Sequence, residues 1–485
     1  MEVKRSGTII KPNNSRVLYR PFEHRDSQRL LKIIARVMEL SEEEVDALLK
    51  QVLAEFHGRH QRLLQYFQNR YEVVRHHLLT DRTLSENRQL LIGSFFTQEY
   101  ALESAALFNP SMVWHPDQSG LAEGSKRFIV SLRATGEGHI SSLCFRSGVV
   151  DETGQIALDK PTGYVAAPEV VPNSEYDKTL FQRKLFELGV ADGLVELTLA
   201  GLDERFTLGQ LQESMRLVMR QHARRQPEWE PLAKTIIALA KANYEIQCDE
   251  HSDVSERSIF PYSPTEINGI EDARFVSFVD DDGSARYCAT YTAFDGNITL
   301  PQLVETEDFL RFQISTLNGP EIKGKGMALF PRKINGHYAM ISRQDGENLY
   351  LMYSDMLHFW YSKQLIVKPT YPWEFVQIGN CGSPIETEAG WLVLSHGVGP
   401  MRKYSIGAFL LDRDDPSRVI GRLREPLLAP NENERAGYVP NVVYSCGGVV
   451  HNGLLIVPYA MADYATTFAT VPLSQLLDEL TSCES

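Results

Sequence analysis

One unit governs what this chain can fold into: a strand, a tight turn and a second strand. It occurs as KRFIVSLRATGEGHISSLCFRSG, ARFVSFVDDDGSARYCATYTAF, HYAMISRQDGENLYLMYSDMLHFW, GWLVLSHGVGPMRKYSIGAFLLD and GLLIVPYAMADYATTFATVPL. Apolar side chains recur with a period of two, the spacing of a half-buried strand, and Gly, Asn and Asp punctuate the runs. The first strands begin near residues 128, 274, 338, 391 and 454. The later starts lie roughly 53 to 63 residues apart, which suits four-stranded units repeated around an axis. Five copies predict a mainly β chain, specifically a five-bladed β-propeller. A β-sandwich accounts less well for hairpins so evenly spaced.

Two stretches read differently. Over 26–105 the period is that of helices. Leu30, Ile33, Ile34, Val37 and Met38 form one face. Ser41 and Glu44 then have the S-x-x-E spacing of a capping box ahead of Val45, Leu48, Leu49, Val52, Leu53 and Phe56. Further helices are expected over 60–79 and 85–106. The long first gap is filled by 175–243, where Thr207 and Gln210 have the spacing of a second capping box. Leu208, Leu211, Met215 and Val218 mark a helical face after it. The expected organisation is an N-terminal helical region, 1–107, and a propeller, 108–478. A helical insertion, 175–243, interrupts it between the first two blades and packs on the N-terminal helices.

The formal charge of −14 argues against nucleic acid or an anionic membrane as partner. MEVKRSGTIIKPNNSR lacks the apolar core of a secretory signal, and no apolar run is long enough to span a bilayer. The six cysteines, at 144, 248, 288, 381, 446 and 483, include no C-x-x-C pair. Free thiols in a reducing cytoplasm are the expectation, with no metal site. The DDDG of 280–283 reads as a hairpin turn rather than a calcium loop.

Chemistry enters at NGIEDARF, where Glu271 and Asp272 stand side by side at the mouth of a strand. Adjacent carboxylates repel unless something pairs or uses them. Strand alternation would send them to opposite faces, leaving one for the central funnel. From the residues alone, a turn-capping pair remains the commoner explanation.

GIEDARF, YTAF, ALFPRKINGHY, SPIETEAGWLVLSHGV and VPNVVYSCGGVVHNGLLIVPYAMAD, in that order, resemble glycoside hydrolase family 130 over about 108–475. That family comprises β-mannoside phosphorylases and β-mannosidases on a five-bladed propeller. The N-terminal helices and the insertion lie outside its compact pattern. The resemblance implies that Asp272 is the general acid, passing its proton through a sugar hydroxyl, with Glu271 a structural partner of Arg274. It implies sugar contacts from Asn109, Arg133, Arg274 and Asp463, with Tyr459 beside them, and a phosphate or water site at His396 and Lys333.

Two cations of the family's phosphorylases have no counterpart by motif. Gln377 stands where a Lys is expected, and DGNITLPQLVETEDF holds neither Arg nor Lys. Lys325, Arg332, Lys333, Arg343 and Arg402 are the basic residues that could compensate. On this count the reading leans to inverting hydrolysis of a β-mannoside or related β-glycoside, with Glu386, or Glu388 two residues on, as the base. The alternatives are an inverting phosphorylase, with inorganic phosphate as co-substrate and no cofactor, and a non-catalytic glycan-binding propeller. The helical faces suit a homo-oligomer.

Overall fold

The computed structural model describes every residue except 24, 25, 172–174, 191, 297, 298 and 483–485. The protein is mainly β with helices, and its strands fall chiefly into five larger antiparallel sheets. The first sheet is built on Ala106–Trp114, Lys126–Thr135 and Ser141–Val150. The second runs Ile270–Val279, Ala285–Phe294, Thr299–Thr306 and Arg311–Thr316. The third is Lys325–Leu329, Tyr338–Arg343, Leu349–Ser354 and Gln364–Val367. The fourth pairs Gln377–Asn380, Gly390–Val398, Tyr404–Leu411 and Val419–Arg422. The fifth holds Val443–Tyr444, Leu454–Met461 and Ala465–Pro472.

Each sheet packs on the next through an apolar layer, and the fifth packs on the first. Phe145 and Ile129 of the first meet Phe275 and Phe312 of the second. Phe278 and Leu303 meet Met327 and Met340 of the third. Ile341 and Leu351 meet Trp391 and Phe409 of the fourth. Leu394 and Leu410 meet Leu455 and Val457 of the fifth. Ile456 and Phe468 return to Met112 and Phe128 of the first. Large side chains such as Phe128, Trp391 and Phe468 are fully buried, each worth about 1.5–3 kcal/mol.

Two findings depart from the sequence expectation. Residues Lys4–Ile10 are not part of a helical region; they form the outer strand of the fifth sheet, antiparallel to Ala465–Pro472. Val17–Pro21 likewise pairs with Thr97–Ala101 in a small sheet of its own. Both partnerships join stretches far apart in the chain, so local periodicity carries no sign of them. The insertion also does not lie simply between two units. Tyr244–Gln247 adds an outer strand to the second sheet, and Ser258–Ile259 then returns to Ser141–Val150 of the first.

The helices themselves follow their sequence signals. Ser27–Glu39, Glu42–Phe56, Leu63–Val74 and Glu86–Phe95 enclose one apolar cluster. Lys178–Glu187, Gly193–Ala200, Leu208–Gln221 and Gln226–Lys241 enclose another. Both capping boxes, Ser41 with Glu44 and Thr207 with Gln210, are formed in both directions. The insertion packs on the outer edge of the second sheet, with a cleft between them lined by Tyr176, Lys184, Tyr244 and Asn318. The DDDG segment is a hairpin turn, closed by Asp280 N–H donating to Ser284 O. The cysteines at 144, 248, 288, 381 and 446 are unpaired and buried, while position 483 lies outside the described residues. Among the described residues no helix is long and apolar enough to cross a membrane.

Candidate active site

The first strands of neighbouring sheets carry irregularities at one end, and these bring the chemistry together. The pairing of Ala106–Trp114 slips between Phe108 and Ser111, and that of Ile270–Val279 slips between Glu271 and Arg274. Asn109 and Asp272 sit on the two bulges with φ of 49° and 54°, in the left-handed region. Each such residue costs of order 1 kcal/mol and persists only where its surroundings over-determine it. The bulged strands are tied together at Ser111, whose Oγ accepts from Phe275 N–H at 2.9 Å.

The bulge overturns the expectation that Glu271 and Asp272 face opposite ways. Both reach Arg133. Its Nη2 donates to Glu271 Oε1 at 2.9 Å, and its Nη1 stands 3.7 Å from Asp272 Oδ1. Alternation fails because the extra residue rotates the chain at Asp272. Glu271 is also not the partner of Arg274; its second oxygen takes Lys325 Nζ at 2.5 Å. Arg274 instead donates to the backbone carbonyl of Asp272 at 2.8 Å and to Tyr444 Oη at 2.7 Å.

Asp272 has a side chain 20% exposed and is well supplied with donors. Asn109 Nδ2 donates to Oδ1 at 2.6 Å, and Tyr444 Oη reaches Oδ2 at 3.4 Å. Burial alone would raise its pKa, but Arg133, Arg274, the Asn109 hydrogen bond and Lys325 outweigh it. The carboxyl lies below the ordinary aspartate range. Asp463 has the opposite balance. Burial and then the charge of Asp272 push its pKa up to about 6, against weaker pulls from Arg133 and Arg402. It too is left-handed, with φ 49°, as is Ala462 before it.

His396 lies on the inner strand Gly390–Val398, only 2% exposed. Its ring stacks on Tyr404 and tilts against Tyr444, and Nδ1 lies 3.2 Å from Asn380 O. Gly379 is required beside it, because a Cβ there would stand 2.2 Å from the ring. Burial, then Arg343 and Arg274, hold its pKa well below the usual value, so it is a neutral imidazole at neutral pH. Arg343 faces Lys325 directly across the strand pair. Two cations so placed repel unless anions separate them. Glu271 serves Lys325, while Arg343 Nε and Nη1 are buried and find no hydrogen-bond partner among the described residues. Asn109 Oδ1, Arg133 Nε and Arg274 Nε are in the same position.

Asn109, Arg133, Asp272, Arg274, His396 and Asp463 therefore come together. Four expected residues do not. Glu386 is held by Arg332, at 2.7 and 3.0 Å, and by Arg413 at 3.2 Å. Its short strand, Ile385–Thr387, sits at the far end of Gly390–Val398 from His396. Glu388 lines the same outer cleft. Lys333 is spent on Asp280 at 2.7 Å and Asp281 at 3.1 Å, at the tip of the second sheet's hairpin. Tyr459 is fully buried between sheets and donates to Glu434 Oε1 at 2.6 Å. Tyr444 joins the site without any signal in the sequence. A tyrosine in an apolar strand carries no sign that its hydroxyl will meet an Arg and an Asp.

Five small sheets thus bring together neighbouring carboxylates and guanidinium groups that keep nitrogens without a partner among the described residues, a site with directed donors and acceptors for a polyhydroxylated or anionic ligand. The profile of glycoside hydrolase family 130, described as β-1,4-mannooligosaccharide phosphorylase, matches residues 213–482. The chain belongs to this family. It is 36% identical to a 1,2-β-oligomannan phosphorylase of Thermoanaerobacter sp. strain X514 over 219 residues, 44% of this chain and 71% of that protein. It is 29% identical to a β-1,2-mannobiose phosphorylase of Listeria innocua over 253 residues, 50% of this chain and 68% of that protein. The solved structure of a Listeria innocua β-1,2-mannobiose phosphorylase in complex with β-1,2-mannobiose aligns with a TM-score of 0.47 and 21% identity. That alignment covers 79% of this chain and 93% of the other.

Proposed function

We propose that this protein is an inverting β-mannoside phosphorylase, cleaving a β-mannoside oligosaccharide with inorganic phosphate and releasing mannose 1-phosphate. The observation that carries the reading is Arg343. Its guanidinium has buried, unpartnered nitrogens beside Arg274 and His396, and faces Lys325 across the strand pair. Phosphate is a dianion that needs several fixed cations and directed donors, and a planar guanidinium supplies both. The cations missing from the motif count at Gln377 and in DGNITLPQLVETEDF are replaced here from the third sheet. The curated relatives are named as phosphorylases, which also favours phosphate over water. The lean to hydrolysis is thereby withdrawn. It rested on counting cations by motif, and on a base at Glu386 that is bound to two arginines elsewhere.

In this reading Asp272 stands at the scissile bond and transmits the proton to the leaving oxygen. Arg133, Asn109 and Asp463 hold the sugar, and Arg274, Arg343 and neutral His396 hold the attacking phosphate. The five sheets are the blades of a propeller whose funnel is this site, 108–478 with Lys4–Ile10 closing the last blade. The insertion shapes one side of the molecule. No cofactor is required. Arg343→Ala tests the reading. The KM for phosphate should rise about 10- to 100-fold, the cost of one charge-assisted contact. The KM for the mannoside should change little. An unchanged phosphate KM contradicts the assignment.

A further inference from the structure

Two aspartates within electrostatic reach of each other have opposite surroundings. Asp272 takes the hydrogen bond of Asn109, the approach of Tyr444 and the charges of Arg133, Arg274 and Lys325. His396, Cys381 and Cys446 complete its surroundings. Asp463 faces Asp272, Arg133 and Arg402, and its half-buried carboxylate accepts no hydrogen bond from the described residues. The two lie close through the first sheet. Leu107 N–H donates to Tyr464 O at 2.9 Å, which fixes Asp463 beside the bulge carrying Asn109. Ala462 and Asp463 are the two left-handed central residues of the hairpin's tight turn, closed by Tyr464 N–H donating to Met461 O at 3.0 Å, which fixes where the Asp463 side chain starts.

We propose that Asp272 and Asp463 share one proton, held by Asp463 in the resting site and moved to Asp272 when phosphate binds. This rests on the phosphorolytic reading above. Like charges in one site do not both ionise readily, and the cations favour the charge on Asp272. Phosphate against Arg274 and Arg343 cancels part of the field that keeps Asp272 ionised. Asp463 looks instead to Arg133 and Arg402, and feels that change less. The proton therefore shifts to the carboxyl at the scissile bond once the nucleophile is in place.

The proton balance closes. Asp272–COOH supplies the leaving oxygen, directly or through a sugar hydroxyl. The glycosidic C–O bond breaks with its electron pair on that oxygen, and an oxygen of HPO₄²⁻ forms the new bond to carbon. The product is first the monoprotonated sugar phosphate. Its second ionisation, near 6, matches the value of about 6 at Asp463 and returns the proton there. A residue that bound only sugar hydroxyls would have no part in this cycle.

The test is the pH dependence of kcat/KM for phosphate in wild type and Asp463→Asn, between about pH 4 and pH 8, so that phosphate's own titration cancels in the ratio. The ratio of wild type to Asp463→Asn should climb as the pH rises from about 4 towards 6 and level off above it at tenfold or more, because Asp272 alone, held below the ordinary aspartate range, loses its proton first. Asp463→Glu, which keeps a carboxyl, should follow the wild-type profile. A flat ratio at any size, with mannose 1-phosphate still formed, assigns Asp463 to sugar binding and overturns the shared proton alone. Free mannose released by wild type without phosphate overturns the phosphorolytic reading instead. Should Asp463→Asn fail to fold, carboxyl ¹³C NMR of wild type decides: an aspartate titrating near 6 and moving with added phosphate supports the pair, and none above 5 overturns it.

Discussion

Asp272 occupies a backbone position that ordinary residues avoid, and its neighbours explain why it stays there. The left-handed turn at 272, the mirrored one at Asn109 and the short hydrogen bond between them fix the carboxylate against Arg133. Asp272→Asn keeps the shape and removes the proton, so turnover should fall roughly 10²- to 10⁴-fold while mannoside binding survives. Steady-state kinetics beside calorimetric binding separates the two. Tyr459 provides the contrast. Removing its hydroxyl strands part of the Glu434 carboxylate, which Arg5 also holds. Tyr459→Phe should therefore cost about 1.5–3 kcal/mol in denaturant unfolding and leave kcat and both KM values unchanged. At this scale the sequence was legible where a motif fixed a residue, as at Asp272, Asn109, Arg133 and His396. It misled where a charge was assigned by type alone. Glu386 and Lys333 are an acid and a base of the right kind, but each is spent in ion pairs that no motif could announce.

Strands with alternating side chains and helices with capping boxes could be read directly, because their signals are local. The five hairpins and both helical clusters fall where period and turn residues place them. Lys4–Ile10 could not be read that way. Its seven residues include a glycine and weak alternation, and their partner lies at the other end of the chain. The bulges were equally silent, since one extra residue in a strand leaves the composition unchanged. Residues 4–10 hold the outer edge of the fifth sheet through pairing with Ala465–Pro472, and Thr467 Oγ1 donates to Thr8 O at 2.8 Å. Removing residues 1–10 should expose that edge, lower the midpoint of thermal unfolding and promote aggregation. Light scattering during a thermal ramp reads both effects. An unchanged midpoint would show that the strand adds nothing to the sheet. Ser41→Ala, by contrast, should cost only about 1 kcal/mol, the usual value of one helix cap.

The molecule as a whole brings polar residues of several sheets together at one site, and carries N-terminal helices outside the residues that the family profile matches. The site interleaves Glu271, Asp272 and Asp463 with Arg133, Arg274, Lys325 and Arg343 around a neutral His396. Acids for sugar hydroxyls and cations for a dianion are thus both at hand. Which of water or phosphate attacks is decided by those cations, and product analysis reads it without any substitution. Purified protein incubated with β-1,2- and β-1,4-mannobiose, with and without inorganic phosphate, should form mannose 1-phosphate on at least one of them, and only when phosphate is present. Free mannose released at the same rate in both conditions would contradict it.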